Sequence, residues 1–412
     1  MRILALLLGV FLALAPAMLG DEIPSFFIES IRVNGGSPGS HRIVVAESRL
    51  RAGQTYDEAR LRDATARIQR LPFVISADFR LAKGSEFGRY VLVIDIQQMK
   101  PFFVLAESTT SWSVETTRLP NPADAGEEFV RQNRSDKIAA GARMFVGAAG
   151  VLNLVAERVE HRPNDRYTMS YTQYDLFGTR ASLTALASYN ENPGARGRGA
   201  PGDRFDWHHK DNFTYELIGI VPIGPNDSIR ASWQRGYLPI RYFRGLPGGG
   251  VQHIVRSLPE IRKELYWIHD TTDDPLFPTG GTRISAGMTR THMASAGLTE
   301  LGRQKLDEMK LSLDRTFRLT SAQALTLGGN GLDFDRSIRK YDVFARWSVD
   351  LWGRERTLRH GDLRLEIGGD RVYTRIQDDH FFASSTLRTG IVFRNEWGVL
   401  RLTGQYEGWR VD

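Results

Sequence analysis

Two adjacent carboxylates, Asp273 and Asp274, open a stretch dense in proline and glycine that runs Asp-Asp-Pro-Leu-Phe-Pro-Thr-Gly-Gly-Thr to Arg283. Paired carboxylates serve as acid and base where their surroundings push their pKa values apart. Here the simpler role is to cap a reversal. Pro275 and Pro278 fix φ and offer no ladder donor, and Gly280 and Gly281 supply positive φ. His208 and His209, beside Trp207, are metal-ligand types, but neighbours on an extended chain point to opposite faces. Gly194–Gly202 carries Arg196 and Arg198 among glycines and could hold phosphate, yet no helix follows to supply an N-terminal field. There is no Gly-x-Ser-x-Gly elbow, His-Glu-x-x-His pair or phosphate loop. With 0 cysteines, thiolate chemistry and disulfide staples are excluded. The expectation is a protein that is not an enzyme and needs no metal or nucleotide cofactor.

The elements around these residues explain why. The chain has 412 residues, 25% charged and 41% hydrophobic, with net charge +6. The mean hydropathy of −0.32 resembles that of a water-soluble protein. A transmembrane barrel also averages out this way, because polar and apolar residues alternate along its strands. Residues 1–20 read as a secretory signal: Arg2, an apolar run from Ile3 to Leu14, then the small-residue site Ala15-Pro-Ala17. Beyond it no apolar run is long enough for a transmembrane helix.

Residues 24–99 form a compact mixed unit. Phe27–Val33 alternates with period two and ends at Asn34-Gly-Gly36, which predicts a strand and a turn. A short helical piece spans Val44–Leu50, and Thr55 stands three residues before Glu58 as a capping box for a second helix. Ala59, Leu61, Ala64, Ile68 and Leu71 place one apolar stripe along it. Strands follow at Phe73–Phe79 and Arg89–Ile96.

From Pro101 onward, segments of about ten residues alternate, the length a tilted strand needs to cross a bilayer. Ala345, Trp347, Val349 and Leu351 share one face; Leu400, Leu402, Gly404 and Tyr406 share another. Tight turns at 148–150, 175–178, 224–227, 273–282, 320–321 and 397–398 alternate with longer loops at about 114–136, 191–211 and 239–260. About fifteen strands can be counted, the last of them, Val399–Val411, running away from the N-terminal unit, whereas return of the C-terminus to the starting side needs an even number. Three readings stay open: a chain incomplete at its C-terminus, one weak strand misassigned, or an unusual closure.

The 273–283 stretch resembles the D-x-x-(F/Y)-(F/Y)-P-T-x-G-(T/S)-R turn of the bacterial surface-antigen family, which includes the BamA/TamA-like outer-membrane insertases. Its place between the eighth and ninth strands matches as well. The order β-α-α-β-β and the wording from Gly53-Gln-Thr-Tyr to Leu71-Pro-Phe-Val-Ile-Ser-Ala-Asp-Phe79 resemble a POTRA domain. The resemblance implies a fold class: an N-terminal α+β POTRA domain (24–99), then an all-β antiparallel transmembrane barrel of about 16 strands (101–412). It further implies an outer-membrane location with the POTRA domain in the periplasm. The expected work is insertion or translocation of polypeptide, with the first and last barrel strands parting as a lateral gate.

The implied partners are unfolded outer-membrane or secreted clients, outer-membrane lipids or lipopolysaccharide, and accessory periplasmic or lipoprotein partners, with no nucleic acid. POTRA sheets capture extended segments by adding a strand at an exposed edge. The edge is carried either by Ile28, Ser30 and Arg32 or by Val74, Ser76 and Asp78. Asp274, Phe277, Pro278, Thr279, Gly281 and Arg283 are the structural residues of the family turn. The family's Val-Arg-Gly-Phe/Tyr motif is absent from the short segment Phe334–Tyr341, and its acidic partner position holds Gly368. A passive pore with a vestigial POTRA domain, or a degenerate paralogue, are the alternative readings.

Overall fold

The computed structural model describes residues 24–116, 128–159, 164–190, 213–245, 251–274, 276–293, 304–334, 338–352, 362–376 and 380–411. The signal segment, Gly194–Gly202, His208 and His209 lie outside the described residues.

The N-terminal unit comprises β1 (Ser25–Asn34), α1 (Pro38–Ser48), β2 (Gln54–Asp57), α2 (Glu58–Gln69), β3 (Val74–Lys83) and β4 (Arg89–Gln98). Its sheet has the order β2-β1-β4-β3. Two local expectations are corrected: the first helix begins at Pro38 and ends at Ser48 rather than spanning Val44–Leu50, and the second has a different cap. The N-cap of α2 is Asp57, whose carboxylate accepts the Arg60 N–H at 2.7 Å, and Thr55 instead pairs within the short strand β2. A side-chain acceptor two residues later in the chain takes over the cap because Gln54–Asp57 is already held extended against β1. Most of the apolar stripe is buried: Leu61, Ala64, Ile68 and Leu71 pack with Ile28, Ile43, Val44, Phe73, Leu92 and Ile94, whereas Ala59 is exposed.

Fifteen strands follow. The first five are β5 (Phe102–Thr116), β6 (Glu128–Val146), β7 (Gly150–Val159), β8 (Asn164–Gln173) and β9 (Ser182–Asn190). Then come β10 (Phe213–Pro222), β11 (Asp227–Gly245), β12 (Val251–Asp270), β13 (Gly281–Met293) and β14 (Gln304–Arg318). The last are β15 (Gln323–Phe334), β16 (Ile338–Trp352), β17 (Asp362–Ile376), β18 (His380–Asn395) and β19 (Gly398–Val411). They close on themselves, with β19 hydrogen-bonded to β5.

That closure corrects the expectation of about 16 strands. Fourteen antiparallel steps between fifteen strands leave the first and last strand pointing the same way, so the barrel closes through one parallel pair, from Gly398↔Val104 to Trp409↔Glu115. No backbone edge is left toward lipid, which meets the requirement that an even count would otherwise have served. The loops expected near 114–136 and 239–260 shrink, because the ladders of β5–β6 and β11–β12 continue through much of them.

Outward side chains form an apolar band: Val104, Ile138, Leu154, Met169, Leu183, Leu217, Leu265, Met288, Met309, Val343, Ile367, Leu387, Leu400 and Leu402 are all exposed. Toward the far rim the band ends in an aromatic row. Tyr167, Tyr189, Phe213 and Tyr215 follow one another across β8, β9 and β10 with ring centroids 6.4, 5.0 and 6.2 Å apart. A water-soluble protein does not expose a belt of this extent, whereas a bilayer-spanning barrel requires one with aromatic girdles. Among the described residues no helix is long and apolar enough to cross a membrane. The chain crosses it with strands, as an outer-membrane barrel.

Candidate functional site: the domain-side mouth and the barrel seam

The Asp273–Gly280 turn joins β12 to β13 and folds inward across the mouth of the barrel that faces the N-terminal unit. Both carboxylates cap it, as read from the sequence. Asp273 Oδ1 accepts the Thr279 N–H at 2.7 Å and the Gly280 N–H at 3.2 Å, and the Thr279 hydroxyl donates to Oδ2. Asp274 Oδ1 accepts the N–H groups of Leu276 at 2.8 Å and Phe277 at 2.9 Å. Gly281 closes the turn at φ 105, where an added Cβ would lie 2.3 Å from the Thr271 carbonyl oxygen. Only glycine tolerates that backbone.

Asp274 does more than cap. Arg394 of β18 donates to both of its oxygens, Nη1 to Oδ1 at 3.2 Å and Nη2 to Oδ2 at 2.9 Å. The two side chains are 8% and 1% exposed, so the pair is buried. Arg394 also donates to Asp362 at 2.8 and 3.2 Å. Burial pushes the Asp274 carboxyl upward, but Arg394 and the Phe277 and Leu276 amides outweigh it and hold the group below the usual carboxylate range.

Phe277 is 2% exposed and lies between two guanidinium groups, Arg394 at 4.5 Å and Arg364 at 4.8 Å from its ring centroid. Arg364 of β17 bonds Asp350 at 2.6 Å and donates to the Phe277 and Pro278 carbonyls at 3.3 Å. Thr279 is buried and receives an N–H from Arg318 at 2.9 Å. Arg283 stands apart at the start of β13, 4.0 Å from Asp270 and half exposed. Of the turn residues, Asp274, Phe277 and Pro278 thus converge on β17 and β18 near the seam, and Thr279 on β14, contacts with no local signature in the sequence.

The N-terminal unit grips the same turn. Gln69 donates to Asp274 Oδ2 at 2.8 Å, and Arg70 donates to the Thr272 carbonyl at 2.7 Å and lies 3.5 Å from Asp270. Arg67 reaches the Pro225 carbonyl and Asn226 at the β10–β11 turn, at 3.0 and 3.2 Å. Phe73 stacks edge-on against Phe145 and Tyr174 of the barrel, and Ala149 and Val151 of the barrel belong to the unit's hydrophobic core. Unit and barrel therefore share one core and one polar interface.

The two proposed edges separate. β1 is flanked by β2 over Ser25–Ile28 and by β4 over Phe27–Asn34, and Ile28 is fully buried. The unpredicted strand β2 therefore covers Ile28, whereas Ser30 and Arg32 lie beyond it and pair with β4 alone. β3 pairs only with β4 and is open along its whole length. Along it Val74 is buried, Ser76 half-buried and Asp78 exposed.

The open edge begins beside the seam. The Phe73 carbonyl, just before β3, accepts the Met99 N–H at 2.8 Å. Lys100 N–H then donates to Glu396 at 2.8 Å, and Val104 N–H to Trp397 at 2.8 Å, at the base of the parallel pair. Gly398 is required there, since a Cβ would sit 1.7 Å from the Val104 carbonyl oxygen. Inside the barrel the seam wall is polar. A cavity of about 400 Å³ is bordered by Glu107, Glu366, Asp370, Arg346, Arg388 and Arg401. Gly368 carries no carboxylate, but Asp370, two residues on, pairs with Arg388 at 3.2 Å.

No protein-family model matches the chain, and no curated protein matches it by sequence. Solved structures similar to it include BamA from Haemophilus ducreyi lacking POTRA domains 1-3, at 11% identity and TM-score 0.44, covering 92% of this chain and 80% of that one. CdiB from Acinetobacter baumannii is similar at 10% identity and TM-score 0.39, with 88% and 70% covered. CdiB from Escherichia coli is similar at 10% identity and TM-score 0.38, with 94% and 76% covered.

Proposed function

We propose that this chain inserts or translocates polypeptide at the outer membrane, with the N-terminal unit acting as a periplasmic POTRA domain. The observation that carries this reading is the juxtaposition of an open sheet edge with the weakest line of the barrel. β3 has one free side and starts where β5 and β19 meet. An extended client added to β3 gains main-chain hydrogen bonds and is held beside the seam. The seam is the single parallel pair, slightly less stable per residue than the antiparallel pairs around it. It is therefore the place where the barrel opens at least cost and where a client strand can pair with β5 or β19. Burial of strand hydrogen bonds and apolar faces supplies the free energy, so no nucleotide or metal is required.

A passive pore is the second reading, favoured by the polar seam wall and opposed by the turn that crosses the mouth. A locked seam separates the two. The native chain has 0 cysteines, so Thr109→Cys with Thr403→Cys, paired residues across the seam, adds one disulfide. The mature chain in liposomes is given an unfolded barrel client, and insertion is compared with empty vesicles. Insertion that is accelerated when the thiols are reduced and lost when they are oxidised supports the gate. Conductance without acceleration in either state moves the assignment to the pore.

A further inference from the structure

Where the N-terminal unit meets the turns after β8 and β10, a cavity of about 380 Å³ is bordered by five arginines: Arg49, Arg51, Arg60, Arg67 and Arg180. Its remaining wall is Gly178, Thr179, Pro222, Gly224 and Pro225, with no carboxylate among them. None of the five arginines makes an ion pair within 4 Å with any carboxylate among the described residues. Five guanidinium groups facing one space repel one another, and a counter-charge from outside relieves that repulsion.

Three of the five are held in place by backbone, Arg67 among them through the Pro225 and Ser48 carbonyls at 3.0 and 2.8 Å. Arg49 donates to the Gly224 and Pro225 carbonyls, and Arg180 donates to the Arg49 carbonyl at 3.3 Å. Arg67 is 3% exposed, and its Nε–H has no partner, an unmet donor in a buried group. Burial, followed by the charge of Arg49, brings Arg67 down to about 10. The nearest carboxylates to act on these groups are Glu47, Asp63 and Asp227. Burial pushes the Glu47 carboxyl upward, which weakens it as a counter-ion.

The surroundings name the source of the anion. The cavity opens at the rim where the apolar band begins. Phe177, at the tip of the β8–β9 turn, is 98% exposed, and Val221 and Ile223 beside the β10–β11 turn are 50% and 59% exposed. Above them Leu183 and Leu217 continue the band along β9 and β10. We infer that this cavity binds the phosphate headgroup of an anionic phospholipid from the domain-side leaflet, with its acyl chains lying on Phe177, Ile223 and the β9–β10 face. A guanidinium fork matches phosphate oxygens bidentately. The bound lipid bridges the unit and two barrel turns, so it fixes the unit against the barrel.

The test is native mass spectrometry of the full mature chain in detergent with added phosphatidylglycerol or phosphatidylcholine of identical acyl chains. One phosphatidylglycerol is retained per chain, in at least tenfold preference. Arg51→Glu with Arg60→Glu, residues that take no part in the docking bonds, lowers that retention at least tenfold. Phe177→Ser lowers it as well. Free glycerol phosphate binds at least tenfold more weakly than the lipid. Equal retention of the two lipids, or unchanged retention in the double variant, overturns the proposal. Glycerol phosphate binding as tightly as the lipid, with no effect of Phe177→Ser, makes the cavity a soluble-anion site and also overturns it. Heat-modifiable migration of each variant on a gel reports folding, and Arg51→Gln with Arg60→Gln replaces the double variant if it does not fold.

Discussion

Asp274 and Arg394, 120 residues apart in the chain, form a two-pronged buried ion pair that ties the β12–β13 turn to β18 across the barrel mouth. The same carboxylate receives Gln69 from the N-terminal unit. One side chain therefore joins the unit, the turn and a strand next to the seam. Asp362 and Phe277 complete the desolvated cluster around Arg394, which is why its charge is bearable there.

Removing one partner leaves the other charge buried and unpaired. Arg394→Ala is expected to cost about 3–5 kcal/mol. In melts followed by heat-modifiable gel migration, the folded band is lost at lower temperature. Arg394→Met together with Asp274→Leu and Asp362→Asn recovers part of the loss, since neither of the two carboxylates that Arg394 paired with then remains as a lone charge.

The pH dependence of the latch follows from the lowered Asp274 carboxyl. A depressed folded pKa contributes stability that is fully present above the unfolded carboxylate value of about 3.9. That stability is lost as pH falls through the folded value. Hydrogen exchange at Leu276 and Phe277 is therefore expected to stay slow relative to an Asp274→Asn variant from neutral pH down to about 5, and the difference to vanish in stronger acid.

Gly281→Ala puts a Cβ 2.3 Å from the Thr271 carbonyl at φ 105. Strain of this kind costs about 1–3 kcal/mol. The expected outcome is a folded barrel with a detached turn, seen as protease cleavage near residue 276 that the parent resists. Gly398→Ala acts at the seam instead, and the compact unboiled band should be weakened or absent.

Arg70→Ala removes the bonds to the Thr272 carbonyl and the 3.5 Å ion pair with Asp270. Hydrogen bonds to a charged donor contribute about 1.5–3 kcal/mol. Faster hydrogen exchange across 58–70 with an unchanged barrel band is expected. Loss of the barrel band as well would mean that the unit and the barrel fold as one.

Placement of an open edge gives a fourth measurement. A photo-reactive residue at Asp78, exposed on β3, should cross-link an unfolded barrel client, and one at Phe27 on β1, paired on both sides, should do so far less. Equal cross-linking at both positions contradicts capture by strand addition at β3.

Much of the architecture was legible because it repeats locally. The two-residue alternation of Ala345, Trp347, Val349 and Leu351, the reversals between strands and the helix stripe through Leu61, Ala64 and Ile68 each need only neighbours in sequence to be recognised. Counting the alternating segments placed the proline- and glycine-rich turn between the eighth and ninth barrel strands, and its paired carboxylates beside two prolines marked the capping by Asp273 and Asp274. What the chain could not state locally was decided by pairing at a distance. Which stretches of the N-terminal sheet are left open depended on β2, a strand of four residues, too short to announce itself. Closure by a parallel pair depended on both ends of the barrel meeting. The partners of Asp274, and the gathering of Arg49, Arg67 and Arg180 around one cavity, arise only when the turns fold beneath the unit. Alternation records which face a residue takes, and carries no address for the charge that will face it; only the closed barrel with its docked unit supplies that address.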